Sequence, residues 1–317
     1  MNQQTIVSML SQHDFTQTYI RANEICQREK KDIIDIRAIL EFSNYCRCSC
    51  AYCGLNREDC HSPRYRMSPA EIINTVKQAK QAGYQTIVLQ SGEDPFYTKE
   101  LVGDMIKEIK KTNIKVTLGL GERSYEEYAY WRDCGADRYL IKHETADRLA
   151  YDKLHPHSSY ENRIDCLKMI KSLGYETGSG FMIGLPHQTL ETVANDLLLL
   201  KELRCDMAGI GPFIAHPKTT LRHVPNGSTE LTRRAVALAR ILMPEINLPA
   251  TTSLGVINSK DKDEVFSNGA NVIMHKVTPS SYKELYDIYP SRQSKTNIIE
   301  DRKELEKNIL ALGKIPR

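Results

Sequence analysis

Short β-rich runs and amphipathic stretches with a period near 3.6 alternate eight times along the chain, the pattern of a parallel sheet whose strands are each followed by a covering helix. The runs predict strands over Ile34–Phe42, Thr86–Ser91, Lys115–Leu120, Arg138–Glu144, Glu176–Ile183, Met207–Phe213, Leu248–Ser253 and Asn271–Met274. Between them the periodicity predicts helices over Ser68–Ala82, Lys99–Lys111, Tyr125–Cys134, Ser159–Leu173, Thr189–Leu203, Glu230–Met243 and Asp261–Ser267. Ser68-Pro69-Ala-Glu71 supplies an N-cap serine, a proline at the first helical position and a glutamate at the third. Gly83, Gly135 and Gly174 follow three helices where a left-handed residue is expected. The expected fold class is therefore α/β, a complete (β/α)8 TIM-type barrel over residues 34–290. A helical extension over 1–33 precedes it and a helical tail over 291–317 follows.

With 317 residues, 41% of them hydrophobic, the chain can bury a large core, as one barrel or as two ordinary domains. It has no apolar run of about 18 residues, and it opens on the polar Met1-Asn-Gln-Gln-Thr-Ile. A cytoplasmic protein without a membrane partner is expected. A net charge of +3, with basic residues scattered, argues against nucleic acid. The pairs Arg233-Arg234 and Lys110-Lys111 read as solvated helix faces. Nine cysteines, an odd number, point to a reducing compartment.

Three of those cysteines carry the chemistry. Cys46, Cys50 and Cys53 stand as Cys-x3-Cys-x2-Cys in Phe42-Ser-Asn-Tyr-Cys-Arg-Cys-Ser-Cys-Ala-Tyr-Cys-Gly54, with no fourth cysteine in register. A 4Fe-4S cluster held by three thiolates keeps one iron open for another ligand. Structural zinc is the first alternative, but it normally closes with four ligands, often as two Cys-x2-Cys knuckles, and there is no second knuckle. Unligated buried thiols are the other. Cys48 lies inside the loop and reads as an extra thiol, because Tyr52 and Gly54 flank Cys53 in the register built on Cys46, Cys50 and Cys53. Cys26, Cys60, Cys134, Cys166 and Cys205 are dispersed over helices and loops and make no second site.

In such barrels reactive residues gather at the C-terminal strand ends. The second strand ends in Leu89-Gln-Ser-Gly-Glu-Asp-Pro95, where Gly92 lets backbone approach a ligand and its polar neighbours can meet an ammonium group; an ordinary polar turn is the alternative. The third ends in Val116-Thr-Leu-Gly-Leu-Gly-Glu122, whose glycines leave room for a cofactor. In the fourth, strand alternation puts Arg138, Leu140, Lys142 and Glu144 on one face and Tyr139, Ile141 and His143 on the other. If the first set faces the barrel axis, Lys142 and Glu144 reach the mouth, either as a structural salt bridge or to meet polar ligands. Two residues apart on a strand is too far for a tight pair unless the side chains bend together, so different ligands are expected for them. His143 is then a satisfied histidine among the helices. Tyr282, Tyr286 and Tyr289 recur at helical spacing and can roof the mouth or form a core stripe. His216 and Pro217 after the sixth strand stay open between the two readings.

The cysteine loop resembles the signature of the radical S-adenosylmethionine (SAM) superfamily, in which SAM chelates the open iron of a 4Fe-4S cluster. That resemblance implies one-electron cleavage of SAM to methionine and a 5'-deoxyadenosyl radical. Leu89-Gln-Ser-Gly-Glu-Asp-Pro95, Asp137-Arg-Tyr-Leu-Ile-Lys-His-Glu-Thr-Ala146, Gly209-Ile-Gly-Pro-Phe-Ile-Ala-His-Pro217, Ala250-Thr-Thr252 and Gly269-Ala-Asn-Val-Ile-Met274 further resemble the HydE family, radical SAM maturases of the iron-only (FeFe) hydrogenase. The likeness implies cluster ligands at Cys46, Cys50 and Cys53. It implies SAM contacts around Gln90, Ser91, Gly92, Glu93, Thr117, Glu144 and Arg163. It places a small iron-cysteine substrate among Lys142, Met207, Thr251, Thr252, Met274, Tyr286 and Tyr289. A reductant such as ferredoxin or flavodoxin and the other hydrogenase maturases are the implied partners, in an anaerobic setting. Two positions depart from the family. Pro290 to Arg317 contains no cysteine, so the accessory cluster of some relatives is expected to be absent, and Lys142 stands where arginine is found, a point charge in place of a planar fork. A methylornithine-synthase-like mutase, or a paralogue acting on another organometallic or thiol precursor, is the alternative reading.

Overall fold

Every residue of the first strand but one is buried along Ile33–Ser43, the signature of a strand covered on both faces. In the computed structural model, which describes residues 1–58, 62–290 and 297–317, its Arg37, Ile39 and Glu41 look into a barrel. The strands are β1 (Ile33–Ser43), β2 (Thr86–Ser91), β3 (Lys115–Gly119), β4 (Arg138–Leu140), β5 (Glu176–Ile183), β6 (Met207–Pro212), β7 (Pro249–Ala250) and β8 (Val272–Lys276). They are parallel and bonded in the order β6-β5-β4-β3-β2-β1-β8-β7. A short β9 (Ile315–Pro316) joins the start of β1.

The barrel is nearly closed where complete closure was expected. β6 and β7 share a single bridge, Met207 with Asn247, made by Ala208 N donating to Asn247 O (3.0 Å) and Asn247 N to Asp206 O (2.9 Å). The expected strand Leu248–Ser253 shrinks to Pro249–Ala250 because Pro249 has no N–H for the ladder and Thr252–Ile257 coils into a helix. The expected strand over Arg138–Glu144 ends at Leu140. Beyond it Glu144 takes φ +66°, outside any strand, while its N–H still reaches Gly180 O (3.0 Å).

The large helices fall within a residue or so of their expected bounds, as Pro69–Gln81, Lys99–Lys110, Tyr125–Asp133, Tyr160–Ser172, Leu190–Glu202 and Thr229–Leu242. Ser68 and Glu71 complete a capping box, and Gly83, Gly135 and Gly174 have φ of +98°, +110° and +77°. The expected Asp261–Ser267 helix divides into Ser259–Glu264 and a 3-10 turn, Val265–Ser267. Tyr282 alone sits in a short helix, Ser280–Lys283; Tyr286 and Tyr289 follow it. The expected shared helical face does not form. Of the tail, Ile298–Ala311 is helical; residues 291–296, like Cys60, lie outside the described residues.

A charged layer floors the barrel. Arg37 Nε binds Asp35 Oδ2 (2.8 Å), Arg138 Nε binds Glu176 Oε2 (2.6 Å), and Arg37 Nη1 meets Met207 Sδ (3.2 Å). The interior therefore opens at the C-terminal strand ends. Among the described residues no helix is long and apolar enough to cross a membrane.

Candidate active site

A bulge in β1 between Glu41 and Ser43 turns the chain out of the ladder and into the cysteine loop. Local chemistry then fixes that loop. Ser43 Oγ donates to the fully buried Asp94 (2.7 Å), which Arg66 grips with two bonds (2.8 and 2.9 Å) while its guanidinium stacks 3.7 Å over the Tyr45 ring. Asn44 donates to Pro63 O and Leu285 O, both at 2.8 Å, tying the loop to the segment after β8. Two glycines permit the close approaches. A Cβ at Gly92 would stand 2.2 Å from Tyr45 O and 2.7 Å from Cys46 Cβ, and one at Gly54 would stand 2.1 Å from Asp287 O. Gly92 thus serves the packing of the loop.

The loop's sulfurs differ in surroundings. Cys46 Sγ accepts from the N–H groups of Cys48 and Glu93, both at 3.4 Å, and the Cys48 thiol also bonds to it, so the Cys46 thiol is lowered to about 7. Cys48 is buried, and its own thiol is raised by that bond and by burial. Cys46, Cys50 and Cys53 are partly exposed. His157 Nε2 lies 3.9 Å from Cys50 Sγ, and the Tyr52 hydroxyl lies 2.9 Å from His155 Nε2.

Beside the loop the barrel holds a cavity of about 360 Å³. Its wall brings together Cys53, Gln90, Lys142, Glu144, Met207, Thr251, Thr252, Met274 and Tyr289 of the residues expected at the site. Tyr286 is fully buried behind Gln90, whose Nε2 donates to its hydroxyl (3.1 Å). Tyr282 leaves the roof altogether: it stacks on Tyr65 and donates to Glu71 (2.8 Å).

Besides Gly92, four expected SAM contacts stand apart from this wall. Ser91 donates to Gly92 O (2.6 Å), and Glu93 is held by Arg47 (3.1 Å) and by Glu122 N–H (2.8 Å). Arg163 binds Glu122 Oε1 (2.7 Å) in a buried pair, with its guanidinium 5.5 Å from the Tyr151 ring centre. Burial opposes the Glu122 charge, but Arg163 together with Ser158 and Asn162 outweighs it and keeps the carboxyl low. Thr117 is farther still: it lines the floor with Arg37 and Arg138, its hydroxyl buried and without a partner. Its place in β3 is level with Arg138 and two residues below Gly119, which pairs with Gln90.

Lys142 Nζ and Glu144 Oε2 lie 2.9 Å apart. A tight pair is unexpected from strand alternation; it forms because the left-handed Glu144 turns its carboxylate back onto its neighbour. His143 is buried as expected, with Nδ1 3.0 Å from Ser179 Oγ and Nε2 3.3 Å from Asp196 Oδ1. His216 is buried against Asp287 (3.1 Å), a structural contact behind the loop. Sequence reasoning missed a second ion pair in the wall, Glu41 Oε1 with Lys276 Nζ at 3.0 Å, and missed Glu122 and His157.

Partly exposed thiols on one short loop, backbone N–H groups already aimed at one sulfur, and a polar cavity against Cys53 fit a three-cysteine cluster with an open ligand position. That arrangement on a parallel barrel defines a radical SAM protein, and the Radical SAM superfamily model matches residues 40–200. Membership implies a 4Fe-4S cluster and SAM. Within that class, the FeFe-hydrogenase maturase subunit HydE of Thermotoga maritima is 51% identical over 271 residues, 86% of this chain and 78% of that protein. The chain belongs to the HydE family of radical SAM hydrogenase maturases. The 3-methylornithine synthase of Methanosarcina acetivorans is 25% identical over 88% of this chain and 79% of its own. A crystal structure of methylornithine synthase matches all of this chain and 94% of its own at a TM-score of 0.84 and 21% identity, a likeness of fold.

Proposed function

We propose that this maturase acts on a small iron-cysteine precursor of the hydrogenase active site, enclosed in the cavity beside Cys53. The observation that carries the reading is that cavity: about 360 Å³, walled at one side by the cysteine loop and at the other by Thr251, Thr252, Met274 and Tyr289. Its size suits a small molecule and excludes a folded partner. Cys46, Cys50 and Cys53 hold one cluster, residues 34–290 form the catalytic unit, and no accessory cluster is bound. When bound, the cluster and SAM supply one-electron reductive cleavage that yields a 5'-deoxyadenosyl radical.

The chain's own residues bind and orient. The Lys142–Glu144 pair offers both charges to the zwitterionic head of SAM, and Gln90, fixed by Tyr286, offers an amide beside it. Arg163 and Glu122 act behind this wall by fixing Lys142, whose carbonyl accepts from Arg163. Met207 and Met274 give soft, apolar surface to the sulfur-bearing substrate. Tyr289, bonded through its hydroxyl to Thr252, lines the mouth and helps keep water out. A cytoplasmic ferredoxin or flavodoxin supplies the electron, and the other maturases deliver and receive the intermediates.

The test is anaerobic reconstitution. The protein should hold about four irons, form 5'-deoxyadenosine when reduced, and restore hydrogenase maturation to extracts lacking this activity. Formation of methylornithine from lysine, with no maturation, would replace this reading with the mutase.

A further inference from the structure

The strand order places three strands between β4 and β8 in either direction, so the two stand on opposite walls of the barrel. Each ends in a charged pair facing the same cavity: Lys142 with Glu144 on one wall, Lys276 with Glu41 on the other. The second pair is asymmetric. The Glu41 side chain is 2% exposed and that of Lys276 is 18% exposed. The Glu41 carboxylate is committed, with Oε1 on Lys276 (3.0 Å) and Oε2 accepting from the Thr278 hydroxyl (3.3 Å). An ammonium has three donors, and Glu41 takes one. The ammonium is therefore the half of the pair that a ligand can reach, held from behind by its partner.

We propose that Lys276 is the binding pole for the carboxylate of the substrate's amino-acid portion, with Glu41 as the residue that positions it. The inference rests on the reading above, that the substrate carries an amino acid. The wall's chemistry selects the charge class. Lys276 and Lys142 are the only cations among the described residues lining the cavity, and each is already half neutralised by a carboxylate. A dianionic phosphate would face Glu41 without a second cation, whereas a monoanionic carboxylate needs one ammonium and a hydroxyl donor. Thr251 and Thr252 supply hydroxyls on the adjoining β7 side. With its carboxylate on β8, the ligand lies across the barrel from the Lys142–Glu144 head-group site, and its remainder spans the gap between the two.

A ligand-truncation cycle tests this. Cluster-loaded protein is titrated by calorimetry with L-cysteine and with cysteamine, which lacks only the carboxylate. The unmodified protein should prefer L-cysteine by about ten- to a hundredfold, the range of a charge-assisted bond. Lys276→Met should abolish that preference and Lys276→Arg should retain most of it. Because Lys276→Met leaves Glu41 buried and unpaired, the double variant Lys276→Met with Glu41→Gln serves if the single one does not fold. A preference that survives Lys276→Met, or unmodified protein that does not discriminate, overturns the proposal. So does a fall in SAM affinity that matches the fall for L-cysteine, which would give the pole to SAM's own carboxylate. Failure of the substrate reading shows separately, as unmodified protein that binds L-cysteine through Lys276 yet matures no hydrogenase.

Discussion

The β4 and β8 walls end in the same chemistry on different backbones. β8 keeps a regular ladder with β1 from Asp35 opposite Val272 to Ile39 opposite Lys276, and its lysine pairs with Glu41 on that neighbouring strand. β4 loses its ladder at Leu140, and its lysine pairs within its own segment through a residue at φ +66°. A histidine backs each wall: His143 against Ser179 and Asp196, His275 with Nδ1 2.8 Å from the Tyr84 hydroxyl. Alternation of side chains is therefore a sound guide to what faces a cavity only as far as the ladder extends. Past its end, local backbone and buried braces decide. A wall built on a continuous ladder is rigid through many shared bonds; one built on a turn depends on a few.

In the proposed function both walls serve a reaction that begins at the cysteine loop, so the largest effect is expected from removing one of its proposed cluster ligands. Cys50→Ala should abolish cluster binding and all 5'-deoxyadenosine formation, read as iron content and product per chain. Retention of about four irons would move the cluster to another set of thiols.

Breaking the brace of the β4 wall comes next. Glu122→Ala leaves Arg163 as an unpaired buried cation, which should cost about 3–5 kcal/mol of stability and release the segment that carries Lys142. Denaturant unfolding measures the first, and SAM titration the second. A variant as stable as the parent would show that Arg163 finds water in place of Glu122.

Because Lys142 and Glu144 form one pair, Glu144→Gln and Lys142→Met should weaken SAM binding together, each by about tenfold, while the double variant falls short of the product of the two. Independent, multiplying losses would restore the division of labour that strand alternation suggests.

Much of this is legible in the sequence. The three cysteines, six of the large helices and the parallel order follow from spacing and periodicity, because each is a local pattern. The differences share one origin. The last β-rich run ends at Met274, two residues short of Lys276, and Glu41 lies inside the first run, so a pair made across two strands is visible in neither. The resemblance puts Thr117 near SAM, and ladder register sets it level with Arg138 at the floor. The short β7 follows from Pro249, whose missing N–H was visible in the sequence. Depth along the barrel axis is set by register between strands, which a single run of residues does not encode.

The β8 wall makes a pH prediction. Burial lowers the His275 imidazole to about 4, so the folded protein leaves it neutral in a range where the unfolded chain, near 6.5, takes up a proton. A depressed histidine contributes stability above its unfolded value and loses it as pH falls from about 6.5 toward 4. His275→Asn should reduce the proton uptake on unfolding by about one at pH 5, measured from the pH dependence of unfolding free energy. An unchanged slope would show that His275 titrates in the folded state as it does in the unfolded chain.

The smallest effect is expected at Cys48. Its thiol is buried and bonded to Cys46, and its N–H also points at the Cys46 sulfur, so it supports a proposed cluster ligand from behind. Cys48→Ala removes the thiol and keeps the N–H. The loss of one small buried group should cost about 1 kcal/mol, with iron content near four and SAM cleavage preserved. The neighbouring register, with Cys48 as ligand in place of Cys46, predicts the reverse: Cys48→Ala would empty the site, and Cys46→Ala would spare it. Comparing iron content in the two variants decides between them, since the two sulfurs compete for one place on the loop.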